Sequence, residues 1–537
     1  MLRSPSAFRY SAAALAALLP RAGLAQQPAP PPDSARLIRS VEIRRLNIFA
    51  PNETRSFFAR LTNSLHRTTR LTVVRRELLF GPGSPYDSAL VQETGRNLRG
   101  LGIFRRVSID STRTDSGLVA RVTTADGWST KVIANISSTG KSVVPVIGIA
   151  DNNFLGTGTY VGLRYRRNPD RSMVTATFQA LRFLPGRIGL SLQYEDRSDG
   201  RLSFAALTKP FYSLSARTSW GFAADTRKVR VLRFFDGEDT ARVELQRRFS
   251  IGYGSVARAL RASPEGYLRV GLNGQIRRED YADELRVDTL GHTVTGAVGA
   301  FLQWRRAHFL VSSGLQGFAR EEDIDVSTVL GFGVNLTPRG FGYSEDGVVS
   351  ALSIGTGFGR ADRFVQLTAS TIGRFTGDGL DSASVHLAAT AFLRPGPRQL
   401  AVFHAARGWQ RRPPPGGEFD LGLGLGPRAF RQHSFTGDRA FFTSAEYRFT
   451  LTDEFLKLSA LGLAGFVDYG GAWYAGTKRR TGWDFGTGLR FGPTRTTSVR
   501  NTRLDVAYRV KNDALDGGWV VIFGSGFAFR SNGRLDP

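Results

Sequence analysis

The chain has 537 residues, enough for more than one domain, with 61 glycines, 38 phenylalanines, two methionines and no cysteine. Glycine and aromatics in this proportion favour strands and tight turns over a helical enzyme. The formal net charge is +26, from 72 Lys plus Arg against 46 Asp plus Glu. An excess of that size points to nucleic acid, an anionic membrane surface or an anion-attracting pore. The basic residues are spread along the chain and do not cluster, which argues against a nucleic-acid partner.

Arg3 and Arg9 form a basic start, Ser11 to Leu19 is apolar, and Gly23-Leu24-Ala25 offers a small-residue cleavage site. Residues 1–25 therefore read as a signal peptide. No later window approaches 18 consecutive apolar residues, so no transmembrane helix is expected. Residues 26–35 are a Pro-rich linker. Residues 36–127 predict a small α+β domain. A strand comes first, with Val41 and Ile43 alternating with Glu42 and Arg44. A helix is expected over 52–65, and a second over 73–80, stopped by Gly81-Pro82-Gly83. A third is capped by Asp87 or Ser88. Two strands, 104–109 and 118–122, finish the unit. Trp128 stands where an interfacial aromatic would sit if a membrane begins next.

The string VVRRELLFGPGSPYDSALVQETGRNLRGLGIFRRVSI resembles a POTRA domain, the periplasmic module of outer-membrane assembly proteins. Gly83 before the last helix and the NLRGLGIFRRV junction carry the likeness. The resemblance implies an edge strand to which an extended client adds by backbone hydrogen bonding. A plain structural spacer is the alternative.

From Ser129 onward, segments of about 9 to 13 residues alternate between apolar and polar positions. Val161, Leu163 and Tyr165 alternate with Tyr160, Arg164 and Arg166. Leu504, Val506, Tyr508 and Val510 alternate with Arg503, Asp505, Arg509 and Lys511. A soluble sandwich would be shorter, and strands of this length match a tilted membrane crossing. Residues 128–537 therefore predict a mainly β domain, an antiparallel transmembrane β-barrel with charges facing a wet lumen and apolar rows facing lipid. Counting segments gives about 16 to 20 strands. The acidic stretches at 235–239, at 278–280 with Asp283 and Glu284, and at 320–325 read as exposed loops.

Asp151 to Gly158 (DNNFLGTG) joins two early strands, with Phe154 and Leu155 expected at the membrane boundary. The stretch Leu421 to Phe449 is more specific. It holds a Gly-rich loop, Pro427-Arg428-Ala429-Phe430, and then a strand in which Glu446 and Arg448 share one face. In the next strand Phe466 and Asp468 share a face, with Gly470 following in F-x-D-x-G register. If the apolar rows face lipid, Glu446, Arg448 and Asp468 all point into the lumen. A loop arginine folded inside needs an anionic acceptor, and a bidentate pair supplies one. Asp468 is the first candidate and Glu446 the second. The last strand places Trp519, Val521, Phe523, Phe527 and Phe529 in an outward aromatic row.

These motifs resemble the BamA/TamA outer-membrane assembly family, also called the bacterial surface antigen family. That family has a loop of aliphatic, Arg, Gly, aromatic that folds back into the barrel. Here Pro427 replaces the aliphatic and Ala429 the glycine, and an alanine there would strain a left-handed backbone. The resemblance implies about 16 strands and a loop-to-wall tether of Arg428, Phe430, Glu446, Arg448, Phe466, Asp468 and Gly470. It also implies a terminal strand and seam that include Trp519, Phe527 and Phe529. The implied function is help with protein insertion or translocation at the bacterial outer membrane, with the N-terminal domain in the periplasm. The implied partners are outer-membrane lipids, unfolded outer-membrane or secreted clients, and periplasmic or lipoprotein accessory factors. No cofactor and no enzyme activity are expected: the six histidines lack metal-ligand spacing, and there is no G-x-S-x-G or H-E-x-x-H. Two alternatives remain open, a two-partner-secretion-type transporter of one dedicated protein and a passive anion-preferring pore.

Overall fold

A computed structural model of the chain describes residues 37–49, 54, 57–115, 117–139, 142–168, 170–235, 241, 243–283, 289–315, 318, 321–422, 425–455, 459–494, 501–512, 515–529 and 535. The expected signal peptide and linker lie outside these residues. The N-terminal unit runs β1 (Ile38–Leu46), α1 (Phe57–Leu65), α2 (Leu71–Glu77), α3 (Ser88–Gly100), β2 (Phe104–Thr114) and β3 (Gly117–Asp126). β3 is central, parallel to β1 and antiparallel to β2. α2 begins two residues before the expected position and stops at Glu77; within the expected first helix Thr54 lies in a turn and the helix is described from Phe57. Asp87 caps α3 by accepting the Ala89 N–H at 2.8 Å. Ile38, Val74, Leu98, Phe104 and Val122 fill the core beneath the helices.

The second unit is one large antiparallel sheet. It continues with β4 (Thr130–Thr139), β5 (Ser142–Asp151), β6 (Thr159–Arg167), β7 (Ser172–Leu184), β8 (Ile188–Arg197) and β9 (Gly200–Lys209). Longer strands follow: β10 (Thr218–Arg233), β11 (Val243–Ser263), β12 (Gly266–Asp283) and β13 (Thr289–Arg306). A hairpin of β14 (Phe309–Ser313) and β15 (Glu321–Asp325) interrupts the ring. The ring resumes with β16 (Thr328–Thr337), β17 (Gly347–Arg360), β18 (Arg363–Thr376), β19 (Gly379–Leu393) and β20 (Gln399–Arg411). After the small pair β21 (Phe419–Leu421) and β22 (Phe435–Gly437), it ends with β23 (Arg439–Phe455), β24 (Ser459–Trp473), β25 (Gly482–Pro493), β26 (Thr502–Arg509) and β27 (Gly518–Ser525). The sheet curls until β27 adjoins β4. Other neighbours in the ring share an antiparallel register, from β4–β5 round to β26–β27; among the described residues none is defined for β27 and β4.

Twenty strands make the ring among the described residues, not the 16 expected from the resemblance. The figure of 16 comes from the resemblance, whereas the segment count of about 16 to 20 reaches the observed number; separately, two acidic stretches expected as loops are strands. Glu279 and Asp280 lie within β12, where Glu279 pairs with Arg247 and Arg277 across a polar interior. Residues 321–325 form β15. In the remaining acidic stretch, residues 236–239 lie outside the described residues. Outside the ring, apolar side chains stand in exposed rows: Leu163, Phe222 at 59%, Leu272, Ile276 at 62%, Phe403 and Val467. Their strand neighbours point inward, as a period of two requires.

The N-terminal unit sits at one end of the ring, the near end. Arg99 of α3 makes a two-pronged ion pair with Asp323 of β15, both bonds at 2.7 Å. Arg182 pairs with Glu77 at 2.9 Å, and Glu93 accepts the Leu214 N–H at 2.6 Å. Burial pushes the Glu93 carboxyl up, and the bond from Leu214 only partly opposes this. The DNNFLGTG turn, expected at a membrane boundary, also serves this junction. Asn153 donates to Thr69 Oγ1 at 2.8 Å, and the Gly156 carbonyl accepts the Arg70 N–H at 2.8 Å. Phe154 and Leu155 remain exposed. Trp128 does not stand free as an interfacial aromatic: it packs on Ile48, Phe49 and Ala59, because the N-terminal unit offers an apolar surface closer than any outside medium.

Candidate functional site: a loop arginine locked inside the barrel

Between β20 and β23 the chain folds back into the ring from its far end. β21 and β22 pair across this segment, Phe419 opposite Gly437 and Leu421 opposite Phe435. Gly422 lets two strands of the loop cross closely, since a Cβ there would meet the Arg431 carbonyl. The loop and the wall then share one apolar cluster, with Phe419, Leu421, Phe430, Phe435, Ala440 and Phe442 all buried.

Arg428 is 1% exposed. Its Nε and Nη2 donate to the two oxygens of Asp468 at 2.6 and 3.2 Å, and its Nη1 donates to Glu446 at 2.9 Å. The guanidinium lies 3.7 Å from the Phe466 ring centre. Ser444 donates to Asp468 at 2.7 Å, which fixes the acceptor. Strand parity in the sequence thus brings together Arg428, Asp468, Glu446 and Phe466. Arg448 joins one step further out, donating to Glu446 at 2.6 Å. Phe430 is fully buried, seated where a Cβ at Gly482 would run into its ring. Gly470 makes room for Phe442 and does not approach the arginine.

The strain expected at Ala429 is absent. Its φ is not positive; among the described residues of the loop, the non-glycine residues with a left-handed backbone are Arg412, at φ 47°, and His433, at φ 62°. The Ala429 methyl is buried with Phe466, Ala507, Val520 and Ile522, and its N–H donates to Asp484 at 2.9 Å. A further charged layer went unseen in the sequence. Arg490 donates to Asp505 at 2.5 Å and to Glu446 at 3.3 Å, and Arg503 lies 3.4 Å from Asp505. Arg428, Arg448, Arg490 and Arg503 thus gather around Glu446, Asp468 and Asp505, so each of these buried carboxylates has a cation within reach. Register would have found Asp484, which stands directly opposite Asp468.

The terminal row splits. Trp519, at 70% exposure, and Val521 face outward. Phe527 and Phe529 do not. Gly526, at φ 68°, ends the strand and turns the chain inward. Phe529 then stacks on inward-facing His404 at 4.0 Å, and Arg448 lies 4.0 Å over Phe527.

His433 ties the loop to the opposite wall. Its Nδ1 is 2.5 Å from Asp420 and its Nε2 is 3.1 Å from Asp170, while its ring stacks on Phe234 at 3.5 Å. Burial alone would push this histidine down, but the two carboxylates outweigh it and hold it at about 9. A raised value means the protonated clamp contributes in full below the unfolded histidine's 6.5 and is lost as pH rises through about 9. Loop 412–438 is expected to resist protease at pH 7 and to become cleavable near pH 9 to 10. His433→Gln should be equally sensitive at both pH values, and an unchanged pH profile in that variant would refute the clamp.

No family model matches the chain, and no curated protein does. Solved structures similar to it include BamA from Haemophilus ducreyi lacking POTRA domains 1–3, at 11% identity, 90% of this chain, 84% of that chain and a TM-score of 0.38. CdiB from Escherichia coli is similar at 12% identity, 91% and 76% coverage and a TM-score of 0.44. The FrpB iron transporter from Neisseria meningitidis, in its apoprotein form, gives 10% identity, 79% and 87% coverage and a TM-score of 0.41. Likenesses this distant carry no argument about what the chain does, and its architecture rests on its own strand register.

Proposed function

We propose that this chain is an outer-membrane β-barrel that assists the insertion or translocation of proteins at the bacterial outer membrane. The observation that carries the reading is Arg428, held inside the ring on Asp468 and Glu446 by a loop of nearly the expected motif. The exposed apolar rows support a lipid surround, because contiguous apolar surface of this extent is unstable in water. The N-terminal unit, with β3 between β1 and β2, is taken as a POTRA-like domain on the periplasmic side. Its outer strands β1 and β2 are where an extended client would add. The protein is read as non-enzymatic and cofactor-free, with clients, lipids and accessory factors as partners.

Depletion in the native host, followed by quantitative proteomics of the outer membrane, tests this. Assembly activity predicts that many barrel proteins fall together and that Arg428→Ala fails to restore them. Loss of a single secreted protein would favour a dedicated transporter. No change in either, with a steady conductance unaffected by Arg428→Ala, would overturn the reading.

A further inference from the structure

Across the lumen from the loop lies a second charged surface. Register sets Arg164 of β6, Glu195 of β8, Arg227 of β10, Phe249 of β11 and Glu279 of β12 in one continuous inward row. The rows on either side add Arg277 beside Asp225, and Arg166, Arg197 and Arg247. Six arginines against three carboxylates leave three positive charges. The next row toward the near end is uncharged, including Tyr160, Gln179, Ser191, Tyr253 and Gln275.

The acids lie beneath the arginines. The side chains of Glu195, Asp225 and Glu279 are 8%, 11% and 8% exposed, whereas Arg227 and Arg277 are 41% and 36% exposed. Each acid is already engaged: Glu195 by Arg197 at 2.8 Å, Asp225 by Arg227 at 2.8 Å, and Glu279 by Arg247 at 2.6 Å and by Arg277. Arg164 and Arg166 are exposed on the same surface and make no ion pair among the described residues. The inner face therefore presents guanidinium groups to the lumen, while its negative charge is turned to the wall. Loop 412–438 covers the opposite wall and reaches this one at Asp170 and Phe234 of the far rim.

We propose that this belt is a binding site for multiply charged oxyanions bearing phosphate or carboxylate groups. Arg164 and Arg166 grip the ligand, and Arg227 and Arg277, four and six strands further round the wall, extend the belt. The guanidinium fork matches both kinds of oxyanion, and a confined lumen raises the local anion concentration. The proposal needs the ring alone and is independent of any role in protein insertion.

Calorimetric titration of the folded full chain in detergent with tripolyphosphate tests it. Binding is expected at low ionic strength and should weaken as KCl rises. Arg164→Gln with Arg166→Gln should lower the affinity about tenfold or more, from the loss of two charge-assisted contacts. The exterior pair Arg258→Gln with Arg407→Gln changes the net charge equally and should bind like the parent. No binding by the parent, an unchanged inner pair, or an equal loss in both pairs would overturn the site. Should the inner pair fail to fold, Arg166→Gln alone carries the test, and unaltered binding there counts against the belt.

Discussion

Replacing Arg428 by alanine is expected to release loop 412–438 from the wall and to destabilise the loop-docked state by about 3–5 kcal/mol. The cause is less the lost attraction than what remains. Asp468 is fully buried and Glu446 is 3% exposed, so the loss leaves the Asp468 carboxylate buried without a cation. Arg448 still neutralises Glu446, but Asp468 keeps only the Ser444 hydroxyl and the Arg428 backbone N–H, at 3.4 Å. Arg428→Lys retains the charge without the fork and should fall between parent and alanine. Protease susceptibility of the loop and heat-dependent gel migration of the folded barrel measure this. Combining Arg428→Ala with Asp468→Asn should cost clearly less than the sum of the single changes, by about 1 kcal/mol or more. Additive costs would mean that the two side chains do not depend on each other.

Phe430→Ala should have an effect of similar size, about 3–5 kcal/mol on loop docking, because it empties a fully enclosed aromatic site. The ring packs on Phe435 at 5.0 Å and lies over Gly482. Gly482→Val should expel the ring from the other side, at about 1–3 kcal/mol for overpacking. The double variant is the sharper measurement. Valine refills part of the space left by phenylalanine, so the pair should dock better than the two costs predict. If each change acts alone, Phe430 is not seated on Gly482.

Much of this was readable before any coordinates. Strand parity placed Glu446, Arg448 and Asp468 on the inward face, because the period of two is local and one buried face exposes it. A cap of α3 at Asp87 or Ser88 was readable because capping is also local, and the structure uses Asp87. Strand number was readable only as a range. Charges in β12 look like loop until the facing strand supplies Arg247, and that partner is 32 residues away. Phe527 and Phe529 followed the right parity and still went to the wrong side, since the left-handed turn at Gly526 reset it.

The sequence by itself determined the two-part order of the chain, the alternation that makes one face apolar and the other wet, and the arginine and aspartate that meet. These follow from local periodicity and from the rule that a buried charge needs a partner. The ring of twenty strands, the charged cluster around Arg428 and the arginine belt were decided only by the tertiary structure. Each depends on which residues stand opposite one another across strands, and register between distant segments is set by closing the whole sheet.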